Sequence, residues 1–340
     1  MTEKLKVGVV GLGIWGQNHP MVYDDYERAE LAVVCDLDAE RAKSVAAKYG
    51  CEWTTDVREL AASDVSTFSV ATPDHAHLAP TRTLLEAGKN VLVEKPLTTD
   101  LAQAKELTEL AEASSGLSMV DFHLRWDPQW GMIKEAVDEG RIGAPVMGYI
   151  RLSDAIEVAE NWLGWAGKSG PHWFLYPHTM DMMCWVLGQR PKSVYAKGHK
   201  GVLAAKGVDT WDCIQTMVEF ETASVTFETS WIVPDANPSV LDCHASLYGE
   251  TGKIDYDQDY SGISFVTDKY SYPWVPLGRK NRWGKLDHYM YQPMRYFVDC
   301  VLDGVTPEGT FREGLENVAM IEAALRSLDT GAPVSMDELR

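Results

Sequence analysis

Short apolar runs alternate with amphipathic stretches through the first part of the chain. Lys6–Val10, Leu31–Cys35, Val65–Ala71, Val91–Val93 and Met119–Phe122 read as buried strands, because each is apolar along its length and bounded by polar or turn residues. Ala39–Lys48, His77–Ala87 and Leu101–Ala113 read as helices between them. The last carries apolar residues at 101, 104, 107, 110 and 111 behind a capping Asp100. Strict strand–helix alternation predicts a doubly wound parallel sheet, an α/β Rossmann-type domain, over residues 1–122.

After Phe122 the pattern changes. Pro128–Glu139 reads as a helix ended by Gly140, Pro145–Leu152 as a strand, and His178–Leu187 as a helix ended by Gly188. Beyond it the period drops to two. Trp211–Phe220 and Ser224–Trp231 are long strands, and Ala245–Tyr248 with Lys253–Tyr256 forms a hairpin. Residues 123–340 are therefore expected to form an α+β domain with a large, mostly antiparallel open sheet. Helices or a partner subunit would cover its apolar face. Two helices, Tyr291–Leu302 and Arg312–Thr330, close the chain.

The strand ends carry the chemistry. Val91–Val93 stops in Glu94, Lys95 and Pro96, which delivers a charged side chain outside the carboxyl end of a strand, where open α/β sheets bind ligands. Pro96 restricts the backbone of Lys95. Read alone, Lys95 either serves a site or begins a surface loop. Lys6–Val10 leads into GLGIWG, so Gly11, Gly13 and Gly16 fit the G-x-G-x-x-G turn that cradles a dinucleotide pyrophosphate. Asp36 ends the next strand at the spacing of the acid that binds an adenosine ribose. It would repel a 2′-phosphate, and its neighbour Leu37 offers no compensating charge, so NAD is favoured over NADP. Asp38 is left to cap the following helix. His75 and His77 follow a strand end and are read as lining a nicotinamide site; no metal is expected. His178 and Asp181 share one helix face, an arrangement that suits either proton transfer or a capping, core-facing pair.

Composition narrows the classes. The 340 residues imply two domains, and 50 acidic against 31 basic residues give a net charge of −19. That charge argues against nucleic acid and anionic membrane as partners. No segment reads as a membrane span or signal peptide, and the six cysteines match no zinc pattern, so reduced thiols in a cytoplasmic protein are expected. Many of the 12 tryptophans lie between Trp126 and Trp283, where a few could stack on a sugar face.

Several motifs occur in a fixed order: the glycine turn followed by His19, TPDHAH at 72–77, AGKNVLVEKPL at 87–97, EGRIG at 139–143, HxxD at 178–181 and SLDTGAPVSM at 327–336. The chain in this respect resembles the Gfo/Idh/MocA oxidoreductase family, named for glucose–fructose oxidoreductase, inositol dehydrogenase and a rhizopine protein. The resemblance implies an NAD(P)-dependent dehydrogenase of a sugar, sugar acid or polyol, assembled as a homodimer or homotetramer through the second sheet. It implies Lys95 and His178 as catalytic residues, with Arg125 and Asp181 toward substrate; His172 and Tyr176, beside the departure at Phe174, are further substrate-side candidates of the sequence itself. Gly11, Gly13, Ile14, Trp15, Asp36, Thr72, Pro73, His77, Glu94 and Lys95 would face the cofactor. An NAD-dependent glycosidase, or a dinucleotide-bound sensor without catalysis, are the alternatives. The resemblance departs at one place: inositol dehydrogenases carry an aspartate four residues before the histidine, and here that position is Phe174.

Overall fold

The computed structural model describes residues 4–258, 265–266, 270–271, 280–281 and 284–340. Trp274 and Trp283 lie outside the described residues. The chain forms two compact units, Met1–Asp127 with Pro276–Leu315 and Pro128–Val275 with Glu316–Arg340.

The first unit begins with β1 (Leu5–Val10), α1 (Asn18–Asp25), β2 (Ala29–Cys35), α2 (Ala39–Tyr49), β3 (Glu52–Thr54) and α3 (Val57–Ala62). It continues through β4 (Thr67–Val70), α4 (Leu78–Glu86), β5 (Asn90–Glu94), α5 (Leu101–Ala113) and β6 (Ser118–Asp121). The six strands lie in the order β3-β2-β1-β4-β5-β6, all parallel. This is the expected Rossmann sheet. The additions are β3 and α3, whose strand is too short and too exposed to show an apolar run. Asp38 caps α2 as expected, accepting from the amides of Glu40 and Arg41.

The second unit contains α6 (Pro128–Asp138), β7 (Pro145–Ala155), α7 (Pro171–Phe174), α8 (Tyr176–Leu187) and β8 (Ser193–His199). Then come β9 (Cys213–Glu219), β10 (Ser224–Val233), β11 (Leu241–Gly249) and β12 (Lys253–Asp257). The sheet runs β12-β11-β7-β10-β9-β8 and ends on the short strand Val334–Ser335. Among the described strands of this sheet only β7 and β10 pair in parallel, because the chain between them crosses back through helices rather than a hairpin. Buried and exposed residues alternate along β9 and β10. Helix α8 packs on β7 and β10 and against α6, so helices cover the apolar face.

The chain then returns to the first unit. Helix α9 (Gln292–Asp303) buries Met294, Phe297 and Val298 in one core cluster with Val7, Val9 and Val22. Each such side chain contributes about 1.5–3 kcal/mol when fully buried, so α9 is part of the Rossmann core. The sequence reading kept this helix with the residues after 122. Its apolar stripe was legible, but the surface that the stripe covers was not. Helix α10 (Phe311–Thr330) starts in the first unit and ends in the second. Among the described residues no helix is long and apolar enough to cross a membrane.

Candidate active site

The glycine turn separates fold from ligand. Gly11 has φ +90°, and a Cβ there would lie 2.7 Å from the backbone of Ala71 and Thr72. A Cβ on Gly16 would meet the Gly11 carbonyl oxygen, so both glycines are demanded by packing. A Cβ on Gly13 would meet nothing within 4 Å. Local packing therefore leaves Gly13 unexplained, whereas close approach of a pyrophosphate explains it. Ile14, beside it, is 71% exposed. Asp36 is buried, accepts from the Leu12 amide at 2.8 Å, and lies 3.2 Å from the Arg41 guanidinium. Its carboxylate thus sits at the carboxyl end of β2, next to the turn. These residues fit a dinucleotide with a free ribose 2′-hydroxyl.

At the carboxyl end of β5 the side chains form a polar mesh. Glu94 is buried and accepts from the Trp15 indole at 2.6 Å and from His19 Nε2 at 3.1 Å. Burial pushes its carboxyl up, but the His19 bond and the surrounding positive charges outweigh that, and the net shift is downward. Its partner across the sheet is Asp121, also buried, held well above the usual carboxylate range by burial and then by Glu94. Burial likewise pushes His123 down to about 4, so that imidazole is neutral. Lys95 is half-buried next in the chain, and its charge acts on Glu94, Asp121 and His123. Its charge therefore stands among buried titratable groups at the carboxyl end of β5.

Two expected cofactor residues are engaged elsewhere. The ring nitrogens of His77 lie 2.7 Å from the Pro96 carbonyl and 2.9 Å from the Thr72 carbonyl, and the ring is 1% exposed. His77 therefore ties the loops after β4 and β5 together rather than presenting a nitrogen to a ligand. Trp15 lends its indole N–H to Glu94, and its ring lies 5.6 Å from that of His123. Thr72 directs its hydroxyl to the Ala76 carbonyl, and Pro73 precedes the short turn Asp74–Ala76.

Arg125 was expected at the substrate. Its buried guanidinium pairs with Glu313 at 2.8 Å and lies over the Phe122 ring. Glu313 also accepts from the Thr310 amide, so the pair anchors the start of α10. The Tyr176 hydroxyl donates to the Ile214 carbonyl at 2.7 Å, lies 3.0 Å from the Thr216 hydroxyl, and is fully buried. It fastens α8 to β9.

His178 and Asp181 lie in the first half of α8, both buried. Pro177 occupies a first-turn position that needs no amide donor, and the Asn317 side chain donates to its carbonyl. Gly188, at φ +61°, closes the helix with its amide on the Cys184 carbonyl. His172 is buried just upstream in α7, its ring 5.8 Å from that of Trp173. Phe174 stands 6.1 Å from the Trp165 ring and 5.7 Å from the Trp231 ring. The Trp231 indole donates to Asp154 at 3.0 Å. An aromatic wedge thus fills the position where a carboxylate was sought, and the acid linked to it comes from β7. Asp121, His123 and Asp154 were not singled out in the sequence. Asp121 ends an apolar strand as Glu94 does, which was the available signal.

A parallel Rossmann sheet, a glycine turn with room for a pyrophosphate and a buried acid at the end of β2 define a dinucleotide-binding protein, and the family matches that follow make it an NAD-dependent oxidoreductase acting on CH–OH groups. Residues 5–122 match the model described as "Oxidoreductase family, NAD-binding Rossmann fold", and residues 130–255 match the "GFO/IDH/MocA C-terminal domain". The chain belongs to the Gfo/Idh/MocA family. It is 36% identical to "Inositol 2-dehydrogenase 4" of Saccharopolyspora erythraea, over 99% of this chain and 97% of that one. It is 28% identical to an "Inositol 2-dehydrogenase" of Rubrobacter xylanophilus, over 99% and 95%. The solved structure of GenD2 from gentamicin A biosynthesis, in complex with NAD, is 26% identical over 98% of this chain and 97% of that one, with a TM-score of 0.86.

Proposed function

We propose that this protein oxidises a secondary hydroxyl of a sugar, sugar acid or polyol. The observation that carries the reading is Lys95, an amine set among buried polar groups at the carboxyl end of a central Rossmann strand. NAD, when bound, supplies the hydride acceptor. Gly11 would shape the turn and Gly13 would let the backbone approach its pyrophosphate, and Asp36 would accept from its ribose hydroxyls. Lys95 hydrogen-bonds the reacting oxygen and stabilises charge that develops there. His178 takes the hydroxyl proton, since a histidine has its ordinary pKa near working pH. Asp181 and His172 orient the remaining hydroxyls. The roles of Lys95 and His178 in one reaction rest on the order of the motifs. The relatives named for inositol support a polyol or sugar substrate; Phe174 argues for one other than inositol itself.

We place the protein in the cytoplasm, on its six cysteines, none of which is held in a disulfide. Among the described residues Met147, Met217 and Tyr248 are exposed on the other face of the sheet, which supports a homodimer formed face to face. The test is a screen of sugars, sugar acids and inositols with NAD and with NADP, read as reduced-nicotinamide absorbance. Turnover with a polyol or sugar and NAD supports the reading. Product release without net NADH would replace it with the glycosidase, and no turnover with any substrate would sink it.

A further inference from the structure

Glu94 and Asp121 are register partners on adjacent parallel strands, so their side chains leave the same face of the sheet. They are 5% and 0% exposed. Glu94 is well supplied with donors, from Trp15 and His19. Asp121 receives no hydrogen bond from any described residue at either oxygen, and His123 Nδ1 stands 4.0 Å from Oδ1. A buried, ionised carboxylate without a donor is costly. A proton on Asp121 removes that cost and turns an unsatisfied acceptor into a donor facing Glu94.

The other groups packed around the pair add little charge. His123 is neutral, His288 lies beyond it and is also pushed down by burial, and burial keeps the Tyr23 phenol protonated beside Ser69. Lys95 brings positive charge to both carboxyls. We infer that Asp121 is a positioning residue for Lys95: it holds a proton toward Glu94, so the two carboxyls together present one negative charge against which the Lys95 ammonium is set. The inference rests on Lys95 serving the reacting oxygen.

A divalent cation is the competing occupant. Nitrogen and oxygen atoms of His19, Glu94 and Asp121 come within 4.8 Å of one another. His19 Nε2, the atom such an ion would need, is already turned to Glu94, and the Lys95 charge opposes a second cation.

The experiment uses the NAD-loaded protein at neutral pH. Infrared difference spectra of wild type minus Asp121→Asn should show the carbonyl stretch of a protonated carboxylic acid, and that band should persist in Lys95→Met. Asp121→Ala should lower kcat by at least about tenfold, with the KM for NAD unchanged, and Asp121→Asn should recover most of that loss. Glu94→Gln should move the basic limb of the kcat profile to lower pH, because removing an anion weakens the hold on an ammonium proton. Absence of the band, a stoichiometric bound metal, or an Asp121→Asn variant as impaired as Asp121→Ala would each overturn the inference. If the band is present but Lys95→Met turns over normally, the role of Lys95 fails instead.

Discussion

At the carboxyl end of β5 the charged groups lie in a mesh of short polar contacts. Around the start of α8 they lie among aromatic rings and methionines. In the first region Trp15 and His19 both bind Glu94, and Asp121 and His123 are buried beside that carboxylate, so removing Glu94 leaves two buried donors without their partner. In the second, His178 and Asp181 stand on a helix buried on nearly every side, next to a wedge of Trp165, Phe174 and Trp231. The first region suits a reaction step common to many substrates, and the second suits the shape of a particular one. Substitutions in the mesh should therefore act on kcat, and substitutions in the wedge on KM.

The largest expected effect tests the chemistry on both sides. Lys95→Ala and His178→Ala should each lower kcat by about 10²–10⁴-fold, with NAD still bound in fluorescence titration. Near-normal turnover in both would remove the assignment.

The glycine turn sharpens the contrast between folding and binding. Gly13→Ala should leave the thermal midpoint unchanged yet weaken NAD by at least about tenfold, roughly 1.4 kcal/mol. Gly16→Ala, whose Cβ would strike the Gly11 carbonyl, should lower the midpoint itself. Equal midpoints would show that packing does not distinguish the two positions.

Arg125 tests whether a buried cation must serve the substrate. Arg125→Met should cost about 2 kcal/mol, between the values for exposed and buried ion pairs because the Glu313 side chain is 42% exposed. Burial raises the Glu313 carboxyl, but Arg125 and the bonds from Thr310 outweigh it, so its folded value lies below the ordinary 4.5. A depressed carboxyl contributes stability above its unfolded value and loses it as pH falls through the folded one. The gap between wild type and Arg125→Met in urea unfolding should accordingly narrow below about pH 4. A gap independent of pH would argue that packing, not charge, is lost.

The smallest effects concern α8 and its wedge. Tyr176→Phe should cost about 1 kcal/mol, one buried hydrogen bond, and leave kcat and KM alone. Phe174→Leu should cost about 1 kcal/mol of ring packing and raise the substrate KM with little change in kcat. A fall in kcat for Tyr176→Phe would return that hydroxyl to the substrate.

The Rossmann sheet was legible because its strands are apolar runs with polar ends, and the glycine turn because each glycine has a separate geometric task. Lys95 was legible for the same reason: a charge that follows Val91–Val93 has few places to go. Asp121 obeyed that rule too, but a single strand end does not reveal which neighbour it will pair with. The partners of Arg125 and Tyr176 were hidden because residue type shows capacity and not commitment. Glu313 and Ile214, which claim them, are far along the chain. Asp154 became visible only when β7 and β10 paired in parallel and set it beside Trp231.

Arg41 gives Asp36 a second meaning. The acid that favours an unphosphorylated ribose also holds a guanidinium 3.2 Å away, on a side chain 43% exposed to solvent. Losing that one carboxylate would abolish the repulsion of a 2′-phosphate and free a cation able to grip it. The coenzyme preference of this protein should therefore lie a single substitution from reversal, with a cation for the 2′-phosphate already in place.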